Sequence, residues 1–159
     1  MKRADLETRV SDDHHQALKL WLRLLSCTNL VETDVRSRLR AEFDTTLPRF
    51  DLMAQLERHA GGLKMNEISQ RLMVTGGNVT GVTDQLESEG LVVRESDPAD
   101  RRAYTVKLTP AGRRTFARMA AAHEQWVIGL FAGLAAAEKE QVYKLLAKLK
   151  LSLEKEKER

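Results

Sequence analysis

The chain has 159 residues, of which 42% are hydrophobic, 31% charged and 5% aromatic, and it carries a formal net charge of +3. These values suit one mainly helical globular domain, and a net charge this small assigns no polyanionic partner by itself. The sole cysteine, Cys27, excludes an intrachain disulfide and suits a reducing, cytoplasmic setting, while no apolar run approaches the roughly 20 residues that span a bilayer.

In chain order, the first ten residues are polar and lack the apolar core of a signal peptide. Ser11 to Asp13 can cap a helix from about His14 to Glu42. Leu18, Trp21, Leu22, Leu25, Val35 and Leu39 form one apolar stripe on it, and Leu20, Leu24, Cys27 and Val31 a second. That is too wide for a helix covered on one side. It fits either a central core helix or one wedged between its own domain and a partner subunit. A link from Asp44 to Leu47 leads to Pro48 in the first turn of a helix reaching about His59. Phe50, Met53, Ala54 and Leu56 are its expected buried side, and Gly61 and Gly62 stop it.

Residues from about Asn66 to Leu72 read as a short helix, Val74 and Thr75 as a turn, and Gly76 to about Glu89 as a second helix. Val79, Val82 and Leu86 give the second helix its apolar side, and Gly90 closes it. Two such helices joined by a tight turn make a helix-turn-helix. Leu91 to Arg94 and Tyr104 to Leu108 read as strands on either side of turn chemistry at Asp97 to Arg102, which predicts a hairpin, or wing. Thr109 and Pro110 open a helix carrying Phe116, Met119, Ala120, His123, Trp126, Val127, Leu130 and Phe131. Ala135 to Glu138 is the expected junction. A last helix follows, with Val142, Leu145, Leu146, Leu149 and Leu153 on one face. The predicted class is mostly α with a small β-hairpin wing, a winged helix-turn-helix flanked by long N- and C-terminal helices.

A duplex demands cations for its phosphates and a slim element for its major groove. The helix after Thr75 meets the second demand. Thr75 can cap it and leave the first-turn amides to a phosphate. Gly76 and Gly77 follow, each costing about 1 kcal/mol against alanine, which is explained if the backbone approaches DNA closely. Asn78, Thr80, Gly81, Asp84 and Gln85 would line the outward face, Asn and Gln suiting adenine edges. An ordinary solvated helix is the competing reading of this segment alone. Between residues 94 and 118, seven basic residues stand against three acids, a net +4 that exceeds the whole-chain excess. Arg101 and Arg102 at the hairpin tip can enter a narrow minor groove, with Asp100 expected to hold one of them in place.

The stretches MNEISQRLMVTGGNVTGVTDQLESEGLV and DPADRRAYTVKLTPAG resemble the multiple-antibiotic-resistance regulator (MarR) family. The Asp-x-Arg of that family's wing matches Asp100 and Arg102, and its Leu-Thr matches Leu108 and Thr109. The flanking helices agree in order and length, so the likeness covers nearly the whole chain. It implies a single domain over 1–159, with dimerisation helices at about 12–42 and 110–156 and a DNA-binding lobe at about 47–109. It also implies an obligate homodimer on a pseudo-palindromic operator in double-stranded DNA, regulated by a small ligand, usually as a repressor.

Family effectors are often aromatic acids, phenols or their coenzyme A thioesters, held between the dimer helices and the DNA-binding lobe. Trp21, Leu25, Phe50, Met53, Met73 and His123 could line such a pocket, and Arg49 or Arg71 could hold an anion. Simple core packing is the competing reading for each. A redox role for Cys27 is an alternative, although no cationic activator stands near it in sequence. Asp12, Asp13, His14, His15, Glu32, His59 and His123 lack metal-ligand spacing. No nucleophile or phosphate-loop motif suggests an enzyme, and no cofactor is expected. A protein-interaction module that has lost DNA contact would lack wing arginines; Arg101 and Arg102 are present.

Overall fold

The protein is described from a computed structural model, which covers residues 15–72, 76–100 and 102–158. The chain divides into two compact units, Met1–His123 and Glu124–Arg159. The expected cap at Ser11 to Asp13 lies outside the described residues.

In the first unit, α1 (Gln16–Phe43) ends where Asp44 takes a left-handed φ of 48° and its N–H donates to the Arg40 carbonyl. The α2 helix (Leu47–Arg58) starts with Pro48 in its first turn and the Thr46 hydroxyl accepting from the Arg49 amide at 3.4 Å. Its buried side is Phe50, Leu52, Met53 and Leu56. Leu52 therefore belongs to the core where Ala54 was expected; Ala54 is only half-buried. The short β1 (Leu63–Lys64) leads into α3 (Met65–Leu72), and α4 (Gly76–Ser88) follows. Strands β2 (Val92–Ser96) and β3 (Tyr104–Leu108) make the hairpin, and α5 (Pro110–Leu130) leaves it.

The sheet has the order β1-β3-β2 and is antiparallel throughout. Val92 pairs with Leu108, Ser96 with Tyr104, and Leu63 with Val106. The third strand is possible because Gly62, at φ 89°, lies against β3; a Cβ there would run into the Thr105 side chain. Leu39, Leu52, Met53, Leu56, Ile68, Val79, Leu86 and Val106 are 2% exposed or less and form one core beneath α4 and the sheet. Burying such side chains at roughly 1.5–3 kcal/mol each is what holds these short elements in place. Phe50 adds tilted ring contacts to Phe116 at 5.4 Å and to His123 at 4.8 Å.

The second unit holds the end of α5, a turn at 131–134, and α6 (Ala136–Lys157). The turn falls before the expected junction at Ala135 to Glu138. Glu138 instead lies in the first turn of α6, where its carboxylate accepts from the Ala135 amide at 2.8 Å. No residue of α6 is buried. None of the described helices is long and apolar enough to cross a membrane.

Candidate nucleic-acid interface

The sequence of α4 sorts its residues by face. Val79, Thr83 and Leu86 are buried, whereas Asn78, Thr80, Gly81, Asp84 and Gln85 are all exposed. Thr83 is the polar exception among the buried residues of α4. Its hydroxyl donates to the Val79 carbonyl at 2.7 Å, one turn back, which satisfies it without water. All five outward candidates thus share one open face, and Gly76 and Gly77 form the N-terminus of the same helix. Thr75 and Met73 lie outside the described residues, as does Arg101.

The hairpin tip is set by its aspartates. The Asp97 carboxylate accepts from the Ala99 amide at 2.9 Å, and the Asp100 carboxylate accepts from the Arg102 amide at 3.0 Å. Asp100 was expected to hold one of the two arginines in place; it accepts from the backbone amide of Arg102, and Arg101 lies outside the described residues. Aspartate readily hydrogen-bonds the backbone two residues on, so the turn forms before any side-chain pair is needed. The Arg102 side chain is exposed and has no partner among the described residues.

Two of the seven cations counted along this stretch are already paired. Arg94 of β2 bonds Asp84 at 2.5 Å and Glu87 at 3.0 Å, both on α4, and Lys107 bonds Glu95 at 2.8 Å. The Arg94 side chain is 21% exposed, so this pair is better shielded than an ordinary surface bridge. Asp84, placed by sequence among DNA-facing residues, therefore also ties α4 to the wing. Its negative charge, which would repel phosphate, is offset by Arg94.

A clasp holds the wing's other end. The Thr109 hydroxyl donates to the Gly90 carbonyl at 2.6 Å and accepts from the Gly112 amide at 3.0 Å, while the Thr109 amide donates to Leu91. Gly112 is buried against the Leu91 carbonyl, and any Cβ there would collide with it. Thr109 caps α5 as the sequence suggests, and the same side chain fixes the turn after α4.

The residues proposed for an effector are scattered. Phe50 and Met53 are core, His123 is half-buried on Phe50, and Trp21, Leu25 and Arg71 are exposed. Burial lowers the His123 pKa below its usual value, which favours the neutral ring. Arg49 makes a bidentate pair with Glu89 just past the end of α4, and this holds the Glu89 carboxyl below its usual range. The larger cavities among the described residues are lined by other side chains. Cys27 is exposed on α1.

An exposed polar face on the second helix of a helix-turn-helix, tied to a hairpin wing, defines a winged helix-turn-helix protein. The MarR family model matches residues 43–103, from the end of α1 to the wing. Among solved structures, a MarR family transcriptional regulator from Silicibacter pomeroyi is 33% identical, with a TM-score of 0.76 over 90% of this chain and 99% of that one. The chain belongs to the MarR family of transcriptional regulators. An uncharacterized HTH-type transcriptional regulator of Bacillus subtilis, YkoM, is 38% identical over 88 residues, which span 55% of this chain and 57% of that relative. A mutant MarR from E. coli complexed with operator DNA shares the fold at 24% identity, with a TM-score of 0.74 over 87% of this chain and 99% of that one.

Proposed function

We propose that this chain is a sequence-specific DNA-binding regulator that acts in the cytoplasm as a homodimer on a pseudo-palindromic operator. The observation that carries this reading is the clean division of α4, with Asn78, Thr80, Gly81, Asp84 and Gln85 exposed over a buried Val79, Thr83 and Leu86. On a duplex, α4 enters the major groove and Asn78 and Gln85 read base edges. Thr75, Gly76 and Gly77 bring the helix N-terminus to a phosphate. Arg101 and Arg102 reach the adjacent minor groove, the Arg102 backbone being held by Asp100. The solved complex of a MarR protein with operator DNA supports the same use of this fold. Two subunits would present two α4 helices to half-sites about one helical turn apart.

A mobility-shift titration of a duplex at two salt concentrations tests this. Affinity falls steeply with salt, because neutralised phosphates release counterions. Arg102→Ala and Arg101→Ala weaken binding to every sequence alike, whereas Asn78→Ala relaxes preference at one position by about 1–3 kcal/mol. Absence of duplex binding at low salt would overturn the proposal.

The regulatory input is proposed to be an aromatic acid, a phenol or its coenzyme A thioester, acting to release a repressor. Phe50, buried with Met53, meets the half-buried His123 ring at 4.8 Å and supplies an aromatic wall, and Arg49 is the proposed cation. Trp21, Leu25, Arg71 and Met73 complete the proposed set. Titrating the protein–DNA complex with these compounds tests this reading, and failure of all of them to release DNA sinks it.

A further inference from the structure

The hairpin has two faces, and its pairing shows which residues share each. Val92 stands opposite Leu108, Arg94 opposite Val106, and Ser96 opposite Tyr104. Opposed residues of antiparallel strands share a face, as do alternate residues along one strand, so these six line one face. Val92, Val106 and Leu108 close its inner end over the core. Arg94 reaches from it to Asp84 and Glu87, so it is the face turned towards α4. Its outer end is Ser96 and Tyr104. Both are exposed, Tyr104 by 46%, and neither side chain makes a hydrogen bond with the described residues.

We propose that Tyr104 is a phosphate-holding residue, its hydroxyl donating to one backbone phosphate of the duplex where the strand passes between α4 and the wing. This rests on the DNA-binding reading above and adds a contact that neither the outward face of α4 nor the wing arginines supply.

Charge is the first argument. Among the six residues Arg94 is the one cation, and its guanidinium is committed to Asp84 and Glu87. A phosphate arriving at this face therefore meets neutral donors, and the hydroxyls of Ser and Tyr are common partners of phosphate oxygens. The acids on either side of Ser96 fall on the opposite face and are engaged, Glu95 by Lys107 and Asp97 by the Ala99 amide. Position is the second. A helix in the major groove and a wing in the adjacent minor groove straddle the sugar–phosphate backbone that separates the two. The hairpin face turned to α4 is then the face turned to that backbone. The ring itself is the third. It carries apolar area that the lobe leaves uncovered, beside a polar tip, and a deoxyribose with its phosphate matches both parts.

A duplex selected by the chain from a random pool is the probe, with binding followed by fluorescence anisotropy over a range of salt concentrations. Tyr104→Phe keeps the ring and should weaken binding about tenfold, the worth of one hydrogen bond to a charged acceptor. The loss should be the same on a scrambled duplex, because a phosphate carries no sequence. The slope of log affinity against log salt should not change, since no cation is removed, whereas Arg102→Ala should lower it by about one. A methylphosphonate placed at each backbone position in turn should find one phosphate whose neutralisation weakens the unaltered chain but weakens Tyr104→Phe no further. Three results overturn the proposal and leave the DNA-binding reading standing: Tyr104→Phe binding as tightly as the unaltered chain, a loss confined to the selected sequence, or methylphosphonate losses that add to that of Tyr104→Phe at every position. If the unaltered chain binds no duplex, both fall.

Discussion

Asp51 sits half-buried on α2, and burial pushes its carboxyl up to about 6, with the Glu32 charge also raising it and Arg36 opposing. The ordinary value is 3.8, so the folded chain holds this proton more tightly than the unfolded one. Its contribution to stability is greatest below the ordinary value and is lost as pH rises through about 6. Asp51→Asn should therefore stabilise the fold at pH 7.5 by about 1–2 kcal/mol, a figure reduced for solvent screening, and should gain little near pH 4. Thermal melts at the two pH values check this, and an equal gain at both would refute it. Gly112 makes an opposite test. Its place against the Leu91 carbonyl leaves no room for a methyl, so Gly112→Ala should destabilise by about 1–3 kcal/mol in chemical denaturation.

At the scale of elements, Arg94 makes β2 and α4 one unit through Asp84 and Glu87. Arg94→Gln should speed hydrogen exchange at β2 amides while leaving those of α2 unchanged. None of this bond was visible in the sequence, because its partners belong to a helix and a strand with no shared periodicity. The helices themselves were readable, since α2, α4 and α5 carry apolar residues at helical spacing, and Pro48 and Thr109 mark the starts of α2 and α5; the Thr46 cap was not read from the sequence. So was β3, whose alternation survives in its burial. β1 was not. Two residues carry no alternation, and Leu63–Lys64 is a strand only because distant β3 lies beside it. The outward face of α4 followed from helical spacing once Val79 and Leu86 were placed inside. The scatter of the effector candidates did not follow, because an apolar residue in the core and one on an open face look alike in a sequence.

At the scale of the whole molecule, the exposed apolar residues call for a partner. Leu18, Leu20, Trp21 and Leu30 are each 45% exposed or more on α1, and on α6 Leu145, Leu151 and Leu153 are 56% or more. Rows of this kind mark association surfaces. A homodimer built on them should fall apart when Leu149→Glu places a charge on the apolar face of α6. Sedimentation would then report a monomer, and operator affinity would fall with it. If Leu149→Glu remains a dimer, α6 does not supply the interface. The Arg94 bridge has a further meaning for the proposed dimer on DNA. Helix and wing are clamped like the jaws of a caliper locked at one opening. In the dimer proposed above, each subunit would then gauge the span from a major groove to its neighbouring minor groove, and duplexes whose local winding departs from that span would be penalised at base pairs no side chain touches.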